Sequence, residues 1–308
     1  MSQRGVVLVL FFLVVALCGG YILFPEVEGL EQVFNPRPVH LLAVGDMLFD
    51  RSIREKGLSS NFEHTFSCIK EELMRYDFVF GNLESPITNN PSVSQGTKPG
   101  SEHNYTFTSP PEAALALYTY NVRLVNLGNN HMLNFSREGL LRTKEYLDAA
   151  GVRYFGDPDS AEEERVARMD IRGVPLSFVN WSDWTSDKTD HTVAQVRKEA
   201  GAGRTVIVYT HWGEEYQPPL PRVRALARSF IDAGAEIVIG SHPHIIQEHE
   251  QYRGKWIYYS LGNFIFDQYW NEEVSTGLAL DLSISTDGIA VEERLATLSR
   301  DGRTCFKN

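Results

Sequence analysis

In Glu236-Ile237-Val238-Ile239-Gly240-Ser241-His242-Pro243-His244 a short apolar run leads straight into two histidines separated by one proline. The run reads as a buried strand, and the turn after it puts both imidazoles at the edge of a sheet, facing the same space. Proline fixes one backbone dihedral between them, so the pair starts partly ordered. Neutral imidazole is the commonest protein ligand for metals. A bare His-x-His is equally an ordinary polar turn, and the rest of the chain must decide.

The chain has 308 residues, is 43% hydrophobic and carries a formal net charge of −11. That is enough apolar residue for one large or two modest cores. The acidic balance argues against nucleic acid as a partner, since such binders show a basic surface. It also gives no general attraction to an anionic polymer, so an anionic substrate would need a bound cation or a local basic patch. The three cysteines, Cys18, Cys68 and Cys305, form no Cys-x-x-Cys pair. A disulfide scaffold is therefore not expected, although a Cys68–Cys305 bond stays open. Any metal would be held by nitrogen and oxygen.

Residues 1–24 read as a membrane anchor. From Gly5 to Phe24 no residue is charged, and Val6 to Leu17 is continuously apolar. That length suits a helix crossing about 30 Å of hydrocarbon. Arg4 precedes it and Glu26, Glu28 and Glu31 follow, which predicts a single pass with the N-terminus inside and the body outside the cell membrane. Secreted and lipid-anchored forms are the alternatives. Residues 25–38, with Pro25, Pro36 and Pro38, read as a linker, and 39–308 as the folded body.

In that body several strand-like runs end on a polar group. Val39–Val44 runs into Gly45-Asp46, Asp77–Phe80 into Gly81-Asn82-Leu83-Glu84, and Arg123–Leu127 into Gly128-Asn129-Asn130-His131. Arg204–Tyr209 runs into Thr210-His211, and the opening stretch into His242 and His244. Helices are predicted over 62–75, 110–120, 136–150 and 221–233, with a hairpin and a further helix between Asp157 and Gly203. Ligands of open α/β sheets gather outside the carboxyl ends of strands. Five tips bearing N and O donors point to one pocket and to one or two divalent ions of the Mn, Zn, Fe or Mg kind. Two close cations need a bridging carboxylate. Such a centre can activate water and hold a transferring phosphoryl or acyl oxygen. Trp212, Trp256, Tyr258 and Tyr259 are read as packing residues.

Gly45-Asp46, Asn82-Leu83-Glu84-Ser85-Pro86, Asn129-Asn130-His131, His211-Trp212-Gly213-Glu214-Glu215-Tyr216, Gly240-Ser241-His242-Pro243-His244 and Ser260-Leu261-Gly262-Asn263-Phe264 occur in one order. Together, over Val39 to Asp267, they resemble the bacterial capsule-synthesis CapA family, the poly-γ-glutamate biosynthesis proteins, which is similar to calcineurin-like metallophosphoesterases. The resemblance implies an α/β fold: a four-layer α/β/β/α sandwich of two mixed sheets.

It also implies that Asp46 and His244 bind a first metal and that Glu84 bridges. Asn130, His211 and His242 complete a second site. His131 would be a general acid or a substrate-orienting histidine. Asn82, Asn129, Asn263 and Asp267 would stand behind the ligands or meet substrate. Metallophosphoesterases carry a histidine two residues after the first aspartate, and here that residue is Leu48.

The expected function is a membrane-anchored, extracytoplasmic, metal-dependent hydrolase or transferase in capsule or poly-γ-glutamate synthesis. Its expected partners are the membrane, the anionic polymer and membrane synthase or export subunits. The alternatives are a non-catalytic metal-binding assembly or export factor and an ordinary metallophosphoesterase.

Overall fold

β1 (Val39–Met47) in the computed structural model buries both of its faces, and two sheets assemble on it and opposite it. Residues 37–159, 165–185, 189–285 and 287–307 are described. The anchor expected over 1–24 and nearly all of the expected linker lie outside them. Among the described residues no helix is long and apolar enough to cross a membrane. From Pro38 onward the chain is one compact unit.

The first sheet has eight strands. β1 pairs in parallel with β2 (Phe78–Leu83), which continues in parallel to β3 (Val122–Asn126) and β4 (Arg153–Phe155). On its other side β1 pairs antiparallel with β12 (Thr276–Ser285), followed by β13 (Gly288–Leu298) and β14 (Thr304–Phe306). The short β11 (Asn263–Ile265) pairs in parallel with the end of β1.

The second sheet has six strands in the order β5 (Val166–Ile171), β6 (Val174–Ser182), β7 (Thr205–His211), β8 (Ile237–Ser241), β10 (Lys255–Tyr258) and β9 (His249–Tyr252). β6, β7, β8 and β10 are parallel, while the edge strands β5 and β9 run antiparallel. Both sheets are therefore mixed, as expected.

Alternation along β1 sets the layers. Leu41 and Ala43 face a core shared with Phe178, Ile207 and Tyr209 of the second sheet. Leu42 and Val44 face a different core, made with helices α1 (Arg51–Gly57), α2 (Glu63–Phe66), α3 (Lys70–Leu73), α4 (Glu112–Thr119) and α5 (Ser136–Ala150). A third core joins the outer face of the second sheet to α6 (Thr189–Gly201) and α7 (Pro221–Ala233). In α7 the buried Val223, Ala227, Phe230 and Ile231 form a stripe at helical spacing. Pro221 opens that helix, and Gly234, at φ +113°, closes it.

Several expectations need correcting. The helix expected over 62–75 breaks into α2 and α3, with Phe62 at φ +64° before the first. The sequence reading did not anticipate α1, β9, β11, β13 or β14. The five donor-bearing tips belong to two sheets. Cys68 and Cys305 form a disulfide, the one pairing that the sequence left open. It fastens the last strand to the segment between α2 and α3 across a sequence separation of 237. The packing reading of the aromatics stands: Trp212, Tyr258 and Tyr259 are buried, and Trp256 packs against the inter-sheet core.

Candidate metal centre

The parallel strands of both sheets end on the same side of the inter-sheet core. β1 carries a bulge there: Ala43 pairs with Phe80, but the next paired residue is Asp46, opposite Asn82. A bulge re-aims the side chain that follows it. Gly45 makes the local path possible, because a Cβ at that position would lie 1.9 Å from the Gly262 carbonyl oxygen. The Asp46 N–H donates to that same oxygen at 3.0 Å. Both histidines of the His-Pro-His turn adopt left-handed backbone, His242 at φ +97° and His244 at φ +58°. Non-glycine residues hold such angles where the surroundings over-determine them, and these cluster at functional sites.

Asp46 and Glu84 are fully buried carboxylates. Asn82 holds both, its Nδ2 donating to Asp46 Oδ1 at 2.8 Å and to Glu84 Oε2 at 2.9 Å. Asn82 Oδ1 in turn accepts from Asn126 Nδ2 and Asn129 Nδ2, each at 3.0 Å. Asn180, from the other sheet, donates to Asn126 Oδ1 at 2.8 Å. Asn129 Oδ1 accepts from the backbone N–H groups of His131 and Met132. This amide chain fixes the carboxylates and the 129–132 turn together.

The imidazoles of His244 and His211 are oriented by hydrogen bonds at Nδ1. Asn263 Nδ2 donates to the carbonyls of His244 and Val274 and to Gln268 Oε1. Its Oδ1 is therefore the acceptor for His244 Nδ1 at 2.9 Å. The Ser241 hydroxyl donates to the Thr210 carbonyl, so it accepts from His211 Nδ1 at 2.9 Å. Both rings turn Nε2 toward Glu84, and His244 Nδ1 also lies 3.3 Å from Asp46 Oδ2. Glu84 Oε1 lies 3.6 Å from His244 Nε2 and 3.8 Å from His211 Nε2. Asn130 Oδ1 lies 2.8 Å from His211 Nε2. The His242 N–H donates to Asp46 Oδ2 at 3.1 Å.

Two groups made wholly of buried donors result, each with ligand atoms within 4.8 Å of one another: Asp46, Glu84 and His244, and Glu84, His211 and His242. Glu84 is common to both. Its Oε1 and His242 Nδ1 are buried with no hydrogen-bond partner. Leaving such groups unpaired costs about 1–3 kcal/mol each.

Charge behaves accordingly. Burial and then the neighbouring Asp46 push the Glu84 carboxyl well above its usual range. Burial works against ionised Asp46 too, but the hydrogen bond and charge of His244, with His211, outweigh it and hold the carboxyl below its usual range. Burial, and then His242, depress the His211 imidazole well below its usual value. Burial, then His244, bring His242 down to about 3. Neutral imidazoles, paired carboxylates, an amide oxygen and orphaned inward atoms fit one or two divalent cations.

Around the donors stand rings and a cleft. Trp184 packs on His242 and His211, with centroids 4.2 and 5.4 Å away. Phe107 lies 4.4 Å from His131 and Phe266 4.9 Å from His244. His131 Nδ1 donates to Asn134 Oδ1 at 3.1 Å. Burial lowers its pKa to about 4, against the opposing pull of Asn134, so the ring is neutral near pH 7.

Asp267 does not meet the donors. It pairs with Arg51 and accepts the Ser52 N–H at 3.2 Å, in a neighbouring cleft of about 390 Å³ also lined by Tyr105, Tyr216 and Trp270. Tyr216 is shared between the two, its ring 6.1 Å from His244. Arg51, Trp184, Asn126 and Asn180 are the residues of this region that the sequence reading missed. Asn126 and Asn180 sit inside apolar strands, a signal for buried amides. Nothing local singles out Arg51 or Trp184.

Known proteins place the chain. The family model for bacterial capsule synthesis protein PGA_cap matches residues 40–268. "Capsule biosynthesis protein CapA" of Bacillus anthracis is 29% identical over 255 residues, covering 76% of this chain and 61% of its own length. "PGA biosynthesis protein CapA" of Bacillus subtilis strain 168 is 28% identical over 258 residues, with 76% and 65% covered. A "probable polyglutamine synthesis accessory protein" of Mycobacterium tuberculosis is 29% identical over 218 residues, with 62% and 56% covered. The chain thus spans about three fifths of the length of the curated relatives it matches. With well over half of its sequence inside that family model, the chain belongs to the PGA_cap family of bacterial capsule synthesis proteins.

Proposed function

We propose that this protein is an extracytoplasmic, metal-dependent hydrolase or transferase acting on the anionic polymer of capsule or poly-γ-glutamate synthesis. One observation carries the reading: buried donors from two sheets face inward around Glu84, whose Oε1 has no protein partner. Asp46 and His244 would hold one divalent cation and Asn130, His211 and His242 another, with Glu84 between them. Bound there, a cation would polarise a substrate oxygen and make water a better nucleophile. Asn82 keeps both carboxylates aimed inward. Trp184 and Phe107 restrict water around the histidines. His131, neutral and held through Asn134, would orient substrate or take a proton from it.

The cleft beside the centre supports a substrate larger than free phosphate. Arg51, paired with Asp267, supplies that cleft with a cation. The Cys68–Cys305 disulfide supports an oxidising compartment outside the cytoplasm. With the apolar run Val6–Leu17 it supports a membrane-tethered body on the outer face. The test is metal analysis of the full-length protein, followed by assays with γ-glutamyl oligomers and phosphodiesters. Metal-dependent cleavage or transfer of either is expected. A metal-loaded protein inert on both, whose loss of metal leaves polymer output unchanged in cells, would sink the enzymatic reading.

A second reading is a non-catalytic metal-binding assembly or export factor. Leu48, apolar and fully buried, favours it, because the first metal then lacks one expected ligand. So does the relative named as an accessory protein. In that case the metal-site variants would impair polymer production while the purified protein turned over no substrate.

A further inference from the structure

Glu215 stands on the solvent side of the His-Pro-His turn. Its carboxylate and the ring nitrogens of His242 and His244 offer ligand atoms within 4.8 Å of one another. Asp46, Glu84, His211, His242 and His244 are all buried, whereas Glu215 is exposed.

Its placement is built into the loop. Gly213, at φ +86°, turns the chain as it leaves β7, and its N–H donates to Asp183 Oδ2 at 2.9 Å. The Tyr216 N–H donates to the carbonyl of Pro243, the residue between the two histidines, at 2.9 Å. Gln268 Nε2 donates to the Tyr216 hydroxyl at 3.0 Å, and Gln247 Nε2 donates to the Gln217 carbonyl at 2.6 Å. The backbone on both sides of Glu215 is thus tied to the site, and one of those ties is to the histidine turn itself.

Leu48 poses the matching problem. Two residues after Asp46, it packs with Phe107, Phe266 and Leu298 and offers no donor. A cation facing Asp46, Glu84 and His244 has three protein donors from buried side chains, and divalent ions of this kind take about four to six.

We propose that Glu215 is a further metal ligand of this pocket, acting with His242 and His244. It closes the pocket from the solvent side with a carboxylate carried on the loop after β7. The inference rests on the reading that this pocket holds divalent cations. Its chemical consequence is specific. An added carboxylate favours harder, oxygen-seeking ions such as Mn²⁺ or Mg²⁺ in the pocket. Three carboxylates against two divalent cations still leave the centre positive, which suits an anionic substrate. The plainer account is a solvated surface charge beside two histidines. Glu214, its exposed neighbour, provides the control for that account.

The experiment titrates Mn²⁺ into metal-free, full-length protein. Calorimetry counts and ranks the sites, and electron paramagnetic resonance reports whether two ions sit close together. The wild type is expected to bind two equivalents and to show a coupled pair. Glu215→Gln is expected to weaken one equivalent by at least about 10-fold and to lose the coupled signal, with Glu215→Asp intermediate. Glu214→Gln, which removes the same charge, is expected to match the wild type. Melting curves of the metal-free variants check that all are folded. If Glu215→Gln keeps both sites at wild-type affinity, or Glu214→Gln weakens binding as much, Glu215 is not a ligand. A wild type that binds one equivalent also overturns the inference. A wild type that binds none overturns the metal reading beneath it.

Discussion

His211 Nε2 and Asn130 Oδ1 lie 2.8 Å apart, and neither brings a proton to the contact. The ring proton is on Nδ1, because Ser241 has already spent its own on the Thr210 carbonyl. Burial keeps the imidazole from taking a second. Two lone pairs at that distance repel unless a cation lies in front of both, and cis ligands of one ion have this kind of spacing. An Asn130 amide turned the other way would donate to His211 and shut the second site. Asn130→Asp separates the two cases. It is expected to bind divalent metal at least as tightly as the wild type, whereas a donor amide would predict weaker packing and no gain. Calorimetry with Mn²⁺ measures this.

Asn82 controls the centre without facing the cation. It is the common donor to Asp46 and Glu84 and the common acceptor of two further amides. Asn82→Ala is expected to lower metal affinity by about 10- to 100-fold. It also strands buried amides, at a stability cost of about 1–3 kcal/mol. Metal titration beside urea unfolding of the metal-free protein reads the two effects separately. Unchanged affinity would show that the carboxylates hold their aim without it.

His131 divides catalysis from binding. Its ring is anchored to Asn134 and packed on Phe107. His131→Ala is expected to keep the metal content while turnover falls by about 10²- to 10⁴-fold. A variant that loses metal as well would make His131 a ligand, or a support for one. Full activity would remove it from the mechanism.

Much of this architecture is legible because β1, β2, β3, β7 and β8 are apolar runs that stop at a donor. The alternation of Leu41 and Ala43 against Leu42 and Val44 already implies two covered faces. What local pattern cannot show is that β1–β3 and β7–β8 lie in different sheets. Convergence of their tips is a property of sheet packing. β13 escapes notice because Glu292, Glu293 and Arg294 interrupt it, and β11 because three residues carry no period. Asp267, four residues beyond Asn263, pairs with Arg51 in the neighbouring cleft, a placement that local pattern does not show. Glu214 and Glu215 look alike in sequence, and the placement of the Glu215 carboxylate beside His242 and His244 tells them apart.

Glu199 should make the body acid-sensitive. Burial opposes its charge, but Arg168, Ser177 and Gln195 hydrogen-bond to the carboxylate and hold its pKa below the usual value. A depressed folded pKa gives stability that is complete above the unfolded value, about 4.3, and drains away as pH falls through the folded one. Glu199→Gln is therefore expected to destabilise the protein by about 2 kcal/mol at pH 7. The difference should shrink steadily below about pH 4. Urea midpoints across pH 3–7 test it, and a constant difference would show that the ion pair with Arg168 sets no pH dependence.

The disulfide makes a claim about both energy and compartment. Cys68 and Cys305 close a loop with a sequence separation of 237, so the bond restricts the unfolded chain severely while leaving the metal centre untouched. Cys68→Ser with Cys305→Ser is expected to cost about 2–5 kcal/mol. Reduction of the wild type should reproduce that loss in full, and the double variant should be insensitive to reductant. Because β14 lies at the far edge of the first sheet from β2 and β3, metal affinity in the still-folded variant should not change. The two readouts must therefore separate. If the midpoint is unmoved by reductant, the bond contributes nothing to stability. If metal binding falls with it, the edge strand is coupled to the centre through β12 and β1.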